Sequence, residues 1–539
     1  MFHQVLDPTG NLGLTVLASL IPVILLLVLL AAFRVTAWLA TLIGSIFTLI
    51  IAILVWHLPL SNGIESYLIG SANGIWAVDW ITFWGVVIFN TLKLTGLFDT
   101  LKNWLVEQAT ADVRVQAILL AWALGALLEG LVGFGYPWAV VAPILVVLGV
   151  AELDALRVAA IANNAPVSYG ALGAPIIALA AVTNLPLLSL SASVGKIVAV
   201  LALLPPWVLI YLVAGRRGFR DGWPLALVGS LAYILGQFPV SQFLGPYLPD
   251  IVGALVSFAA ILLLLKVWRP RTVLGYGGVP LSEEEQQAQR ASRIEEETSS
   301  HSVLASLLPF LILIVVVVLW TGPWSHLPKI TAFSWVVKAV SSISNKPTSA
   351  SFAFAPFIGG TAILASWLIM LLFIRPPLAL LGQVFRDTFR QMWGALLVGV
   401  FIFGLAFVFN YSGMGASLAY GFSKVGPAFI LLAPILGWIG VALSGSNTST
   451  NSLFGLVQVQ VGRLLGFPVL LLPSLNSVGA EVGKPVAPQT ASVGVSTTKF
   501  VRNEGQVIRH NMGWTLVLLA WLIIVGLLYY FLLPGLMAL

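Results

Sequence analysis

GALLEGLVGFGYPWAV, residues 125–140, is the stretch on which the reading of this chain turns. It lies within one of the most apolar regions of the sequence. Yet it holds an acid, Glu129, glycines at 130, 133 and 135, and Pro137. A charged carboxylate at the centre of a membrane helix costs about 2.5–3.5 kcal/mol on insertion scales, and glycine with proline builds a straight helix poorly. Together they point to a helix interrupted at membrane depth, where freed N–H and C=O groups must line a cavity or be buried in protein. Close helix packing through small residues is the alternative, and Gly130, Gly133 and Gly135 alone do not separate the two.

The rest of the chain supports a membrane setting. Of its 539 residues 59% are hydrophobic and 9% charged, with a mean hydropathy of +1.01; soluble domains carry about 25% charged residues. Runs such as 12–33 and 307–320 are long enough, with their flanks, to cross a hydrocarbon core of about 30 Å. They recur between short loops, so the expected class is an all-α polytopic membrane protein, not a β-barrel. The first run lacks a basic start and a small-residue cleavage site, and reads as a retained span. Chain-wide absence of cysteine removes disulfides and thiolate metal sites. The net charge of +6 is spread over short loops, which gives no nucleic-acid surface.

Hydropathy places spans near 12–33, 36–56, 78–97, 192–214, 223–241, 247–267, 303–321, 356–374, 391–410 and 514–533. Two further regions, 111–185 and 426–495, are apolar but broken by Gly, Pro, Asn and Ser, for about 12–14 membrane segments in all. The polar stretch 269–301, containing SEEEQQAQRASRIEEETSSH, reads as a solvated linker with a short surface helix. The distribution of Lys and Arg puts this linker in the cytoplasm and both termini outside. The loop 322–355 then also falls outside, despite Lys329, Lys338 and Lys346.

An internal repeat emerges on comparing the broken regions. IANNAPVSYGALGAP and LPSLNSVGAEVGKPVAP align at an offset of 313, which carries Asn163 onto Asn476, Gly170 onto Gly483 and Ala174–Pro175 onto Ala487–Pro488. Glu129–Gly130 lies near Ser444–Gly445 at an offset of 315, and Thr95–Gly96 meets Ser412–Gly413 at 317. The matched spans run in opposite directions, so the repeats are inverted. The expected division is a first repeat over 1–214, two connecting spans over 215–268, the linker 269–302 and a second repeat over 303–539. Inverted halves with Gly/Pro-interrupted segments at matching positions are the signature of secondary transporters, whose sites lie near the midplane where the broken segments meet.

Several residues there could carry the chemistry. Glu129 reads as a carrier of the coupled proton, or as a structural carboxyl bonded to freed amides. Amides exposed at the start of a half-helix favour anions, which brings in Gly130, Gly133 and Gly135. SGSNTSTNS, residues 444–452, has hydroxyl or amide side chains at eight of nine positions. Ser444, Ser446, Asn447, Thr448 and Ser449 suit both the carboxylate and the hydroxyl of a small hydroxy acid; serine-rich helix contacts are the alternative. Lys484 is the candidate cation for an anionic substrate, with Glu481 as its partner should the two form a structural ion pair. Asn163 and Asn476 flank the interruptions. Tyr136 and Trp138 add bulk that would narrow a site toward a small substrate. Arg157 and Arg463 fall near segment ends and read as snorkelling side chains. The five histidines have no metal-ligand spacing, and no phosphate-cradling glycine motif is present. An enzyme, an ATP-driven pump or a resident cofactor is therefore not expected.

Four segments in order, GALLEGLVGFGYPWAV, NNAPVSYGALGAPI, GWIGVALSGSNTSTNSLFGLVQ and GKPVAPQTASVG, resemble the hallmark segments of the bacterial lactate permease family. The resemblance runs over nearly the whole chain. It implies uptake of L-lactate, D-lactate and glycolate with a proton across the bacterial inner membrane. It also implies a distant likeness to ion transporters with two re-entrant hairpins and an elevator-like moving domain, in which Ser-Asn-Thr segments bind the substrate carboxylate. Ser446, Asn447 and Thr448 form such a segment here. The first repeat instead has Gly133, Phe134 and Gly135, which weakens the transfer of a sodium site. The expectation is a symporter of small 2-hydroxy monocarboxylates and protons. A sodium-coupled carboxylate carrier is the main rival; a channel, a receptor or a membrane enzyme has less in the sequence to support it.

Overall fold

The computed structural model describes residues 1–294, 301–496 and 498–539. Ten of its helices are long and apolar enough to cross a membrane, and a further pair, Glu152–Ala162 and Val167–Thr183, is bent by 68° at its break. Shorter apolar helices run over Tyr136–Val147 and Gly359–Ile374.

Local sequence sets where these elements begin and end. Asn11 caps Leu12–Ala31 by accepting from Leu14 N at 3.2 Å. Long helices stop at glycines in the left-handed region, where a side chain would be strained. Thus Trp80–Leu94 gives way to Leu97–Gln108 at Gly96 (φ +79), and Leu378–Ser412 to Met414–Ser423 at Gly413 (φ +97). These two glycines are the pair aligned at an offset of 317 in the sequence.

Two 35-residue helices, Leu60–Leu94 and Leu378–Ser412, form one wall of the interior. The first was expected to start only near residue 78, with 57–77 an outer loop. It begins instead at Leu60 and passes through a π-helical turn at Gly74–Asp79. Small residues let the two backbones meet. A Cβ on Gly70 would stand 2.4 Å from the Phe403 carbonyl oxygen, and one on Gly74 2.5 Å from that of Gly399. Ser71 Oγ donates to the Val400 carbonyl at 3.0 Å across the same seam.

The opposite wall is made of broken helices. Val113–Leu131 ends before Gly133, Phe134 and Gly135, all at positive φ (+69, +56, +77), after which Tyr136–Val147 restarts with proline in its first turn. Phe429–Ser444 stops at Gly445 (φ +74) and Asn447–Leu465 starts two residues later, after Ser446. Leu471–Gly483 runs through a 3₁₀ turn, Lys484–Val486, into Pro488–Gly494. Both regions expected to be broken are broken.

The all-helical class has one exception. Within the loop expected over 322–355, Phe333–Val340 pairs antiparallel with Pro347–Phe354, and Phe2–His3 adds a parallel third strand. The alternating burial of this hairpin was hidden in a serine-rich, mixed stretch. The linker helix is present as Glu283–Ile294, started by a reciprocal cap: Ser282 N donates to Glu285 Oε2 at 2.8 Å and Glu285 N to Ser282 Oγ at 3.2 Å. Residues 295–300 of the expected linker lie outside the described residues. Arg157 is not a snorkelling side chain: it pairs with Asp154 at 2.5 Å, and Asp154 also meets His510 at 2.8 Å. Arg463 is exposed, as a snorkelling side chain would be.

Candidate functional site

A cavity of about 300 Å³ opens between the two walls, at the small end of the range for ligand pockets, about 300–1,000 Å³. Its broken-helix side carries Glu129, Gly133, Ser444, Ser446, Asn447, Thr448, Ser449, Lys484, Gln489 and Thr490; the long-helix side carries Val78, Asp79, Val398, Gly399 and Ile402.

Lys484 Nζ lies 2.5 Å from Glu129 Oε1, and Asn163 Nδ2 donates to Glu129 Oε2 at 3.1 Å. Glu129 is 1% and Lys484 5% exposed. The partner of Lys484 is thus Glu129, from the other broken region, and not Glu481. The backbone permits it, since Lys484 starts a 3₁₀ turn while Glu481 still belongs to the helix, and tertiary packing brings Glu129 within reach. Glu481 points instead to Ser168, whose backbone N donates to Oε1 at 2.8 Å. Gly170 gives Glu129 its room, since a Cβ there would stand 2.6 Å from Oε1.

Beside this pair sits the start of Asn447–Leu465. Ser446 caps it by accepting from Ser449 N at 3.1 Å, and a helix start carries partial positive charge and unpaired N–H groups toward whatever faces it. Gly445 lets Phe429–Ser444 stop and this helix start within two residues. A Cβ on Gly445 would stand 2.7 Å from Gln489 Cβ.

Behind the cavity runs a chain of buried amides and hydroxyls. Asn447 Nδ2 donates to the Ser477 carbonyl (3.1 Å), Asn451 Nδ2 to Ser477 Oγ (3.0 Å), Asn476 Nδ2 to Asn451 Oδ1 (3.0 Å) and Gln458 Nε2 to Asn476 Oδ1 (3.3 Å). Most of these groups come from the polar run 444–452 and its facing helix. An interior network of this kind helps hold a broken helix in register, although Asn447 Oδ1 and Gln458 Oε1 have no partner among the described residues.

The expected residues divide accordingly. Glu129, Gly133, Ser444, Ser446, Asn447, Thr448, Ser449 and Lys484 line one cavity. Asn163 reaches it through Glu129, and Asn476 lies in the network behind. Gly130 packs on Asp250, Gly135 on Thr490, and Tyr136 on Phe89, with ring centroids 4.9 Å apart; none of the three lines the cavity. Among the lining residues missed are Gln489, Thr490 and Asp79. Gln489 and Thr490 stand directly after Ala487–Pro488 of the quoted motif GKPVAPQTASVG and carry neutral polar groups that drew no attention. Asp79 fell at the start of the span expected over 78–97 and was not singled out. Among the described residues no group of three or more His, Cys, Asp or Glu is arranged to hold a metal ion.

The comparisons agree with this architecture. The family described as L-lactate permease matches residues 15–534. The glycolate permease GlcA of Escherichia coli (strain K12) is 33% identical over 555 residues, covering 99% of each chain. An L-lactate permease of Bacillus subtilis (strain 168) is 31% identical over 550 residues, covering 97% of each. Among solved structures, the YdaH transporter of Alcanivorax borkumensis aligns over 87% of this chain and 88% of that one, at 16% identity and a TM-score of 0.45; so loose a likeness carries no inference. Relatives matched end to end are permeases, and ten membrane-length helices make this a multi-pass protein of the bacterial inner membrane, a transporter and not an enzyme. By the match of its whole length and the membrane architecture that length folds into, the chain belongs to the L-lactate permease family.

Proposed function

We propose that this protein carries small 2-hydroxy monocarboxylates, lactate and glycolate, into the cell together with a proton. One observation carries the reading: Lys484, the one cation lining this small cavity among the described residues, is buried and held by a carboxylate, Glu129. A protonated Glu129 no longer competes for Lys484, which can then pair with the substrate carboxylate. The capped start of Asn447–Leu465 and the hydroxyls of Ser446, Thr448 and Ser449 supply further donors. One proton and one monoanion leave the net charge of the cavity unchanged, so the loaded form crosses without an added charge. Names of the relatives, a glycolate permease and L-lactate permeases, support the substrate class.

The two halves are proposed to be inverted repeats, with the sites of interruption meeting at the cavity. Positive φ at both Gly96 and Gly413, and broken helices on both sides of the Glu129–Lys484 pair, support that arrangement. Uptake of glycolate, L-lactate, D-lactate and pyruvate into proteoliposomes under imposed proton or sodium gradients tests the proposal. Accumulation of lactate and glycolate should follow the proton gradient and collapse with a protonophore. Accumulation that follows sodium instead would identify the rival, a sodium-coupled carboxylate carrier.

A further inference from the structure

Asp79 is, among the described residues, the one charged group lining the cavity outside the Glu129–Lys484 pair. It is 8% exposed and lines the cavity from the long-helix wall. Its carboxylate has neither an ion pair nor a side-chain hydrogen bond among the described residues, whereas Glu129 has both Lys484 and Asn163. The structure also makes space for it. A Cβ on Gly399 would stand 2.2 Å from Asp79 Oδ1, so only glycine at 399 leaves this carboxyl where it is. The π turn Gly74–Asp79 ends on it, and such turns often mark functional positions in helices.

The groups around Asp79 offer no compensation. Of the elements packed on its turn, Leu60–Asn73 carries Glu65 and Tyr67, engaged with Trp335 and Ser45 respectively. Trp80–Leu94 carries Lys93, which together with Asp387 and Arg390 of Leu378–Ser412 lines a separate cavity. Arg386 is exposed and Tyr411 donates to the Lys338 carbonyl. Gly170–Thr183 has no titratable side chain, nor have the helices Leu12–Ala31 and Ala37–Leu54 that close the cavity. Across the cavity stand Glu129 and Lys484, already neutralising each other.

With all three lining groups ionised the cavity is one negative charge in excess before any substrate enters. A carboxylate entering it would meet Asp79 in an apolar setting, where like charges repel far more strongly than in water. We propose that Asp79 is a second proton-binding group of the cavity, and that it must be neutral for a carboxylate anion to bind. This rests on the monocarboxylate reading above. The two protons have different consequences: that on Glu129 frees Lys484 and couples transport, whereas that on Asp79, on the opposite wall, removes repulsion and sets affinity.

The test is the apparent KM for lactate in counterflow, measured across pH in wild type, Asp79→Asn, Glu129→Gln and the double variant. Asparagine mimics the neutral acid. Above about pH 8, Asp79→Asn should therefore bind lactate about tenfold more tightly than wild type, with a flatter pH profile. Glu129→Gln should keep a KM that rises with pH, and the double variant should lose that rise. A tighter KM is not what a merely damaged fold produces. If Asp79→Asn does not fold, Glu129→Gln decides alone, and a pH-independent KM in it overturns the proposal. An unchanged pH profile in Asp79→Asn overturns it too. A KM lowered by sodium in wild type but not in Asp79→Asn would make the carboxyl a sodium ligand, and the proposal wrong. Absence of any lactate or glycolate counterflow in wild type would instead overturn the transport reading itself, and this proposal with it.

Discussion

Lys484 and Glu129, 355 residues apart in sequence, meet at 2.5 Å in the interior and join the two broken regions of the chain. Removing one partner of a buried pair leaves the other charge uncompensated, which costs about 3–5 kcal/mol, while replacing both is far milder. Lys484→Met should accordingly destabilise the purified protein more than the double change Glu129→Gln with Lys484→Met. Thermal unfolding in detergent measures both. Equal losses would mean that the pair contributes nothing as a pair.

Function should separate differently. Lys484→Ala removes the only cation lining the cavity among the described residues, so the apparent KM for lactate should rise by about tenfold to a hundredfold, equivalent to about 1.4–2.7 kcal/mol of binding. A wild-type KM would take Lys484 out of the substrate site.

Glu129→Gln keeps one oxygen, enough for Lys484 or Asn163 but not for both, and can no longer exchange a proton. Steady-state accumulation driven by a pH gradient should fall at least about tenfold, while exchange of internal for external substrate persists at a reduced rate. Undiminished uphill uptake in vesicles would exclude the proton role.

Much of this arrangement was legible in the sequence because its signals were local. Glycines and Pro137 beside Glu129, and the polar run from Ser444 to Ser452, announced interrupted helices in otherwise apolar surroundings, and the interruptions are there. Which partner Lys484 takes was not legible. Glu481 is three residues away in the chain, but a 3₁₀ turn aims the lysine at Glu129, and that choice belongs to tertiary packing. Asp79 was missed for a different reason. Hydropathy placed it at a membrane edge, where an acid needs no explanation. In the structure the helix already begins at Leu60. At a rise of about 1.5 Å per residue, Asp79 lies roughly 28 Å from that end and 22 Å from the other. The moderately polar stretch before it concealed the first half of the span, which tolerates Ser, Asn and Glu65 because it packs on protein and on the outer hairpin through Trp335.

Packing between the two long helices makes its own forecast. A Cβ on Gly70 would stand 2.4 Å from the Phe403 carbonyl oxygen, a backbone atom that cannot swing aside. Gly70→Val should therefore cost at least the about 1–3 kcal/mol typical of overpacking. Gly382→Ala, on one of the same helices but in open space, should be neutral or gain about 0.5–1 kcal/mol from helix propensity. Comparable melting temperatures for the two variants would contradict the close contact.

Gly445 and Gly466 allow the binding geometry to be separated from backbone strain. Both end helices in the left-handed region, at φ +74 and +73. Alanine at either position pays the same conformational penalty, about 1–2 kcal/mol. Their surroundings differ: nothing lies within 4 Å of a Cβ on Gly466, whereas one on Gly445, next in sequence to Ser446, the cap of the helix start facing the cavity, would press on Gln489 at 2.7 Å. Gly466→Ala should lower thermal stability and leave the apparent KM for lactate near wild type. Gly445→Ala should lower stability by more and also raise KM, by about tenfold if a single capped donor is misplaced at a cost near 1.4 kcal/mol. The comparison is informative because the strain cancels. A KM that rises equally in both variants would mean that the position of Ser446 and the helix start behind it does not matter to substrate, and would move the carboxylate site away from residues 444–449.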